Sequence, residues 1–217
     1  MADFGISQLR TLLSSTISDT TITYDQRALI GQIQSDLNES DPNRRLGGAN
    51  ASPALAAGPA AVVVVPVAAI VISLAAILAI LVAITGAILL YLVIDRYGER
   101  ALKALAAMTQ ALVQEVAQLR SRVRSFQREN GNMCNSEFET LIRALNTLAA
   151  RLNSPALSRA NSNHVIRVIG ELLLAVATAL LNFVRCIDPT DSLGLIDRFL
   201  RPNGLLMRGI RRILNTL

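Results

Sequence analysis

Histidine occurs once in this 217-residue chain, as His164, and cysteine twice, as Cys134 and Cys186. Catalysis needs a base, an activated nucleophile or a metal cluster, and these counts leave few ways to build one. The chain also lacks a glycine-rich phosphate loop, paired carboxylates at a recognisable spacing, and a Cys/His ligand set. His164 stands near the start of a predicted helix, where a lone imidazole is more often a neighbour of the cap than a base. The sequence therefore points to a non-enzymatic protein, with no catalytic residue, cofactor or metal ligand to nominate. Two cysteines make neither a disulfide framework nor a four-ligand zinc site. On the cytosolic side of a membrane they are expected to be free thiols.

Charge is scarce as well. Charged residues make up 17% of the chain, where a typical soluble domain has about 25%. The deficit is local: residues 46–94 carry no charge at all. The first residues contain no basic region followed by an apolar run, so a cleaved signal peptide is not expected. The apolar segment must then serve as its own targeting signal.

Aliphatic side chains are what the chain has in quantity, and residues 61–94 are their densest stretch. Proline suits the first turn of a helix, so Pro66 predicts a regular helix from Val67 to Ile94. Those 28 residues include 17 Ile, Leu or Val. At 1.5 Å per residue they reach roughly 42 Å, enough to cross a hydrocarbon core of about 30 Å once, with tilt. Two spans need more residues than the segment has. The expected fold class is an all-α membrane protein, with one long transmembrane helix followed by a C-terminal bundle of amphipathic helices. A buried helix of a soluble toxin is the competing reading.

Four regions follow from this frame. Residues 1–37 read as short helices, with Ile6, Leu9, Leu12, Leu13 and Ile17 at helical spacing and Asp25 as a candidate cap for a second one. Residues 38–60 read as an Ala/Gly/Pro linker that can bury little. Its glycosylation patterns at Asn38 and Asn50 are no more than chance allows among thirteen asparagines. Residues 61–94 are the transmembrane helix. Residues 95–217 form the helical C-terminal region, with helices expected over 100–128, 136–152, 164–187 and 191–215. A Ser136–Glu139 capping box opens the second of these.

The net charge divides unevenly. Residues 1–58 carry four Arg against six acids, a balance of −2, and residues 95–217 carry seventeen Arg or Lys against ten acids, a balance of +7. Positive residues accumulate on the cytoplasmic side, so a single pass with the N-terminus out and the C-terminus in is expected. Arg96, Arg100 and Lys103 would then sit at the membrane surface. The last thirteen residues form a basic amphipathic helix whose Arg208, Arg211 and Arg212 could meet anionic headgroups. Packing on the bundle is its alternative role.

Residues 100–128 carry a heptad stripe. Leu102, Thr109, Val116 and Val123 repeat on one register, and Leu105, Leu112, Leu119 and Phe126 on the other. β-Branched residues at one position with Leu at the next resemble a two-stranded coiled coil. Leu102, Leu105, Leu112, Val116, Leu119, Val123 and Phe126 are thus candidate oligomerisation residues. Packing on later helices of the same chain is the competing use. Residues 164–187 are apolar nearly all round apart from Glu171, which Arg167 can partner from four residues away. They read as a central bundle helix in preference to a second span. Arg120, Arg124 and Arg128 form a basic strip, but too few aromatics accompany them for nucleic acid to be an expected partner.

The partners this pattern implies are a lipid bilayer, a second copy of the chain, and a protein docked on the C-terminal bundle. Two functions are compatible with it. One is an integral structural or membrane-remodelling protein, such as a viral envelope or organelle-shaping component, acting through helix association. The other is a membrane-active secreted factor, a pore former or translocator. The layout of polar N-terminus, long apolar segment and amphipathic C-terminal helices resembles that of type III secretion translocators. Solubility separates the two functions: a pore former hides its apolar helix inside the bundle.

Overall fold

A computed structural model of the chain describes residues 2–41, 61–93, 97–130, 133–153 and 162–215. Most of the expected linker over 38–60, the end of the apolar run at Ile94, and Arg96 lie outside the described residues. Among the described residues there are seven α-helices: α1 (Ala2–Ile17), α2 (Tyr24–Ser40), α3 (Ala61–Val93), α4 (Gly98–Asn130), α5 (Asn135–Leu152), α6 (Ser162–Ile187) and α7 (Leu205–Asn215). A π-helical turn, Ile196–Leu200, precedes α7. Among the described residues there is no strand.

Local chemistry sets several of these boundaries. α2 starts at a capping box: the Thr23 hydroxyl accepts from the Gln26 N–H, and the Gln26 side chain accepts from the Thr23 N–H. Two orphan amides of the first turn are satisfied this way. Thr23, not the expected Asp25, is the cap. α5 behaves differently from expectation. Its N-cap is Cys134, in left-handed backbone at φ 60 and with no side-chain cap. Ser136 lies inside the helix, so the anticipated Ser136–Glu139 box does not form. α3 begins at Ala61, which puts Pro66 in its second turn.

The expected helix over 191–215 is broken in two. Asp191 adopts φ 52, and its carboxylate accepts from the N–H groups of Ile196 and Asp197 at 2.9 Å each. Its carboxylate thus holds the first amides of the short π-helical turn, whose N-cap is Leu195, and residues 201–204 then turn the chain into α7.

The packing centres on α3. Helices α1, α2, α4 and α7 all lie against it. Fourteen consecutive residues, 77–90, are buried. At 3.6 residues per turn this is nearly four turns, so every face of the helix is covered over that length. The cover comes from the apolar stripes of its neighbours: Leu9, Leu12 and Leu13 of α1, Ile30, Ile33 and Leu37 of α2, and Leu205, Leu206, Ile210 and Ile213 of α7 are all buried. α4 packs on α3 and α1 and also on α5, and α6 joins α5 to α7. One continuous apolar core results, with Phe138 of α5 and Phe183 of α6 at 5.5 Å between ring centroids.

All-helical architecture is as expected, but the division of labour is not. The sequence pattern predicts one lipid-facing helix ahead of a separate bundle. Instead, the apolar helix is the middle of the bundle, and the N-terminal helices are part of its wall. By length and composition two helices qualify as candidate spans, Ala69–Leu92 and His164–Ile187.

Candidate functional site

The cover over α3 is tightest where α2 and α7 meet it. A Cβ added at Gly209 would lie 2.5 Å from Thr85 Cγ2, and one at Gly86 would lie 2.8 Å from Ile33 Cγ2. Both glycines therefore permit a helix approach that a side chain would block. The space left among Ile33, Asp36, Val82, Thr85, Gly86, Leu89, Leu205 and Gly209 is about 10 Å³. The Thr85 hydroxyl donates to the Leu81 carbonyl at 2.7 Å, so no polar hydrogen is stranded in this contact.

One carboxylate closes the cover. Asp36 of α2 is buried, with its side chain 9% exposed, and meets Arg208 at 2.8 Å and Arg212 at 3.5 Å, both on α7. Gln32 adds a hydrogen bond to the same carboxylate at 3.0 Å. A buried aspartate without such partners is strongly disfavoured, so the pair of guanidiniums is what permits Asp36 to sit there. Farther along α3, Arg122 of α4 donates to the Ala69 carbonyl at 3.2 Å and to the Ser73 hydroxyl.

The nominated residues fall in different places. Leu105, Leu112, Val116, Leu119, Val123 and Phe126 are buried and Leu102 is half-buried, all within this one chain. A second copy could use the stripe only if this packing opened. Arg100 and Lys103 are exposed and rim an open groove of about 370 Å³ between α1 and α4, beside Ser7, Thr11 and Ser15. Lys103 pairs with Glu99 at 2.8 Å. The hydrogen bond and charge of Lys103 hold the Glu99 carboxyl below its ordinary range. Arg208 and Arg212 are engaged with Asp36, and Arg211 alone of the three is exposed. Glu171 pairs with Arg167 at 3.3 Å, as its spacing predicted.

The cysteines overturn an expectation. Cys134 and Cys186 form a disulfide, with Cα atoms 5.9 Å apart. It joins the start of α5 to the end of α6 across 52 residues of sequence. In a chain-entropy account a loop of that size is worth about 4 kcal/mol. Stable disulfides belong to oxidising compartments, which conflicts with a C-terminal region in the cytosol holding free thiols.

Beside the disulfide, Asp188 organises the chain after α6. Burial raises its pKa, but hydrogen bonds from the Leu193 and Ser192 backbone and from the Ser192 and Thr190 hydroxyls outweigh it and leave the pKa lowered. Among the described residues no group of three His, Cys, Asp or Glu is placed to hold a metal ion. His164 is exposed.

The site residues that sequence reading missed are Asp36, Gly86, Gly209 and Arg122. A usable signal existed for one of them. Asp36 falls on the same side of α2 as Ile33 and Leu37 by helical spacing, which marks a carboxylate on an apolar face. No family model, curated protein or solved structure matches the chain.

Proposed function

We propose that this protein is a membrane-active factor that carries a hydrophobic helix hidden inside a water-compatible bundle and delivers it to a bilayer. The observation that carries this reading is the burial of residues 77–90 on every face by helices of the same chain. A helix built to stay in lipid presents its side chains outward, because hydrocarbon is their solvent. Here α1, α2, α4 and α7 take that place. The covering helices show the matching pattern. Their apolar stripes face α3, and the outward faces of α4 and α7 carry Arg120, Arg124, Arg128 and Arg211, all exposed. The Cys134–Cys186 bond supports a secreted or extracytoplasmic setting.

The helix retains the means to cross a membrane. Ala69–Leu92 has a mean hydropathy of 2.7, and 24 residues reach about 36 Å, beyond the hydrocarbon thickness of about 30 Å. Water solubility and membrane activity are thus properties of two arrangements of one chain.

Expression with an intact disulfide and purification without detergent tests the proposal. The expected result is a soluble, helical protein that releases a trapped dye from lipid vesicles. A chain that stays in the membrane pellet after alkaline carbonate, and leaves it only with detergent, would be a constitutive anchor, and the proposal would be wrong.

A further inference from the structure

The position of α7 suggests how α3 is kept hidden. α7 is the last described helix, and it lies over the middle of the fully buried stretch of α3, with Gly209 against Thr85. Its arginines meet a carboxylate of α2. Asp36 faces two guanidiniums, Arg208 and Arg212. Arg211 adds a third, exposed to solvent. The side chains of Arg208 and Arg212 are 38% and 34% exposed, whereas Asp36 is 9% exposed. Part of each arginine therefore faces solvent while the carboxylate between them does not.

The covalent bracing leaves α7 out. The disulfide ties the end of α6 to the start of α5, and α7 follows beyond it, after the turn at 201–204. α7 also packs on α6, where Ile213 and Leu214 lie against Gly170, so its release uncovers that face of α6 as well. Once free, α7 has a second place to go. Its apolar face of Leu205, Leu206, Ile210 and Ile213 and its arginines suit the boundary between acyl chains and anionic headgroups.

Building on the membrane-active reading, we propose that α7 is a detachable strap, and that anionic lipid releases it by competing with Asp36 for Arg208 and Arg212. The partner is a bilayer bearing negatively charged headgroups, and the consequence is exposure of α3 around Val82, Thr85 and Leu89.

Two variants test this in the full-length protein, with dye release from vesicles of phosphatidylcholine alone or mixed with phosphatidylglycerol. The first locks the strap. A Cβ at Gly209 would lie 3.4 Å from Thr85 Cβ, close to the separation of about 3.5–4.5 Å that a disulfide needs. Thr85→Cys also removes the methyl group that Gly209→Cys would otherwise strike. The oxidised double variant is expected to be silent on phosphatidylglycerol vesicles, and reductant should restore release to the rate of the unaltered protein in the same reductant. The second variant, Asp36→Asn, loosens the strap. It should release dye from phosphatidylcholine vesicles about tenfold faster than the unaltered protein.

Equal rates for the locked and unaltered proteins overturn the strap. So does an Asp36→Asn variant that keeps the full requirement for phosphatidylglycerol, and this arm stands even where the locked variant does not fold. An unaltered protein that releases dye equally from both vesicle types removes the role of anionic lipid but leaves membrane activity intact. One that releases dye from neither removes both.

Discussion

Helices α3 and α6 are both long and apolar enough to cross a membrane, with mean hydropathies of 2.7 and 1.9, yet in the most apolar 18 residues of each, 72% of the first and 50% of the second are buried. The difference lies in arrangement. α6 exposes Arg167, Glu171, Leu174, Thr178, Asn182 and Arg185, a stripe at spacings of three and four that is mostly polar. It is an amphipathic helix with an unusually wide apolar face. α3 has no polar stripe to expose, and its only hydroxyls over 70–90, Ser73 and Thr85, are turned back on its own carbonyls. A helix of the first kind needs one neighbour layer. A helix of the second kind needs neighbours all round, or lipid.

The contrast is broken most severely by a charge placed on each helix. Ile84→Asp, at a position with no exposure, should cost about 4 kcal/mol or more and abolish the cooperative thermal transition. Leu174→Asp, at a position 37% exposed, should change stability by about 0.5 kcal/mol or less. A large loss for Leu174→Asp in detergent-free buffer would show that α6 is covered in a way the single chain does not reveal.

Removing the disulfide is the next largest effect. The double variant Cys134→Ser with Cys186→Ser should lose about 2–4 kcal/mol in denaturant unfolding. The loss should appear in the α5–α6 half, read as faster amide exchange there than in α3. Uniform exchange in both halves would mean that the two regions unfold as one unit.

Two glycines sharpen the comparison further. Gly209→Ala forces a methyl group against Thr85, and about 1–3 kcal/mol of destabilisation is expected. Gly31 lies in α2 with nothing within 4 Å of an added Cβ, so Gly31→Ala should stabilise by about 0.5–1 kcal/mol. Thermal melts of the two variants should move in opposite directions.

The smallest effect is a pH dependence at the end of α6. The Asp188 pKa is lowered in the folded state. Its contribution to stability is therefore complete above the unfolded aspartate value of about 3.9 and is lost as pH falls through the lower folded value. Asp188→Asn should be less stable than the unaltered protein at pH 7, and the gap should narrow in acid. A gap that stayed constant from pH 7 to pH 2 would contradict this account.

Much of the local structure was readable from residue patterns. The stripe Leu105, Leu112, Leu119 on α4 and the stripe Phe138, Leu141, Leu145, Leu148 on α5 mark the buried faces, because helical periodicity reports which side is apolar. The same periodicity is silent about what covers that side, and a coiled-coil partner and a neighbour in the same chain both fit it. The cover over α3 was less legible. The Asp36–Arg208 contact joins positions 172 residues apart, and the Cys134–Cys186 bond joins positions 52 apart. Neither separation carries a local signal.

Composition and periodicity alone determined that the chain is helical, that residues 61–94 must be kept from water, and that the last helix is basic and amphipathic. Those are properties of each segment's own side chains. Whether lipid or protein keeps α3 from water was decided only by the tertiary structure, because both are apolar solvents to a helix that is hydrophobic on every face. The fate of the arginines on α7 was decided there too, since a guanidinium takes whichever anion lies within reach, and the fold puts Asp36 there first.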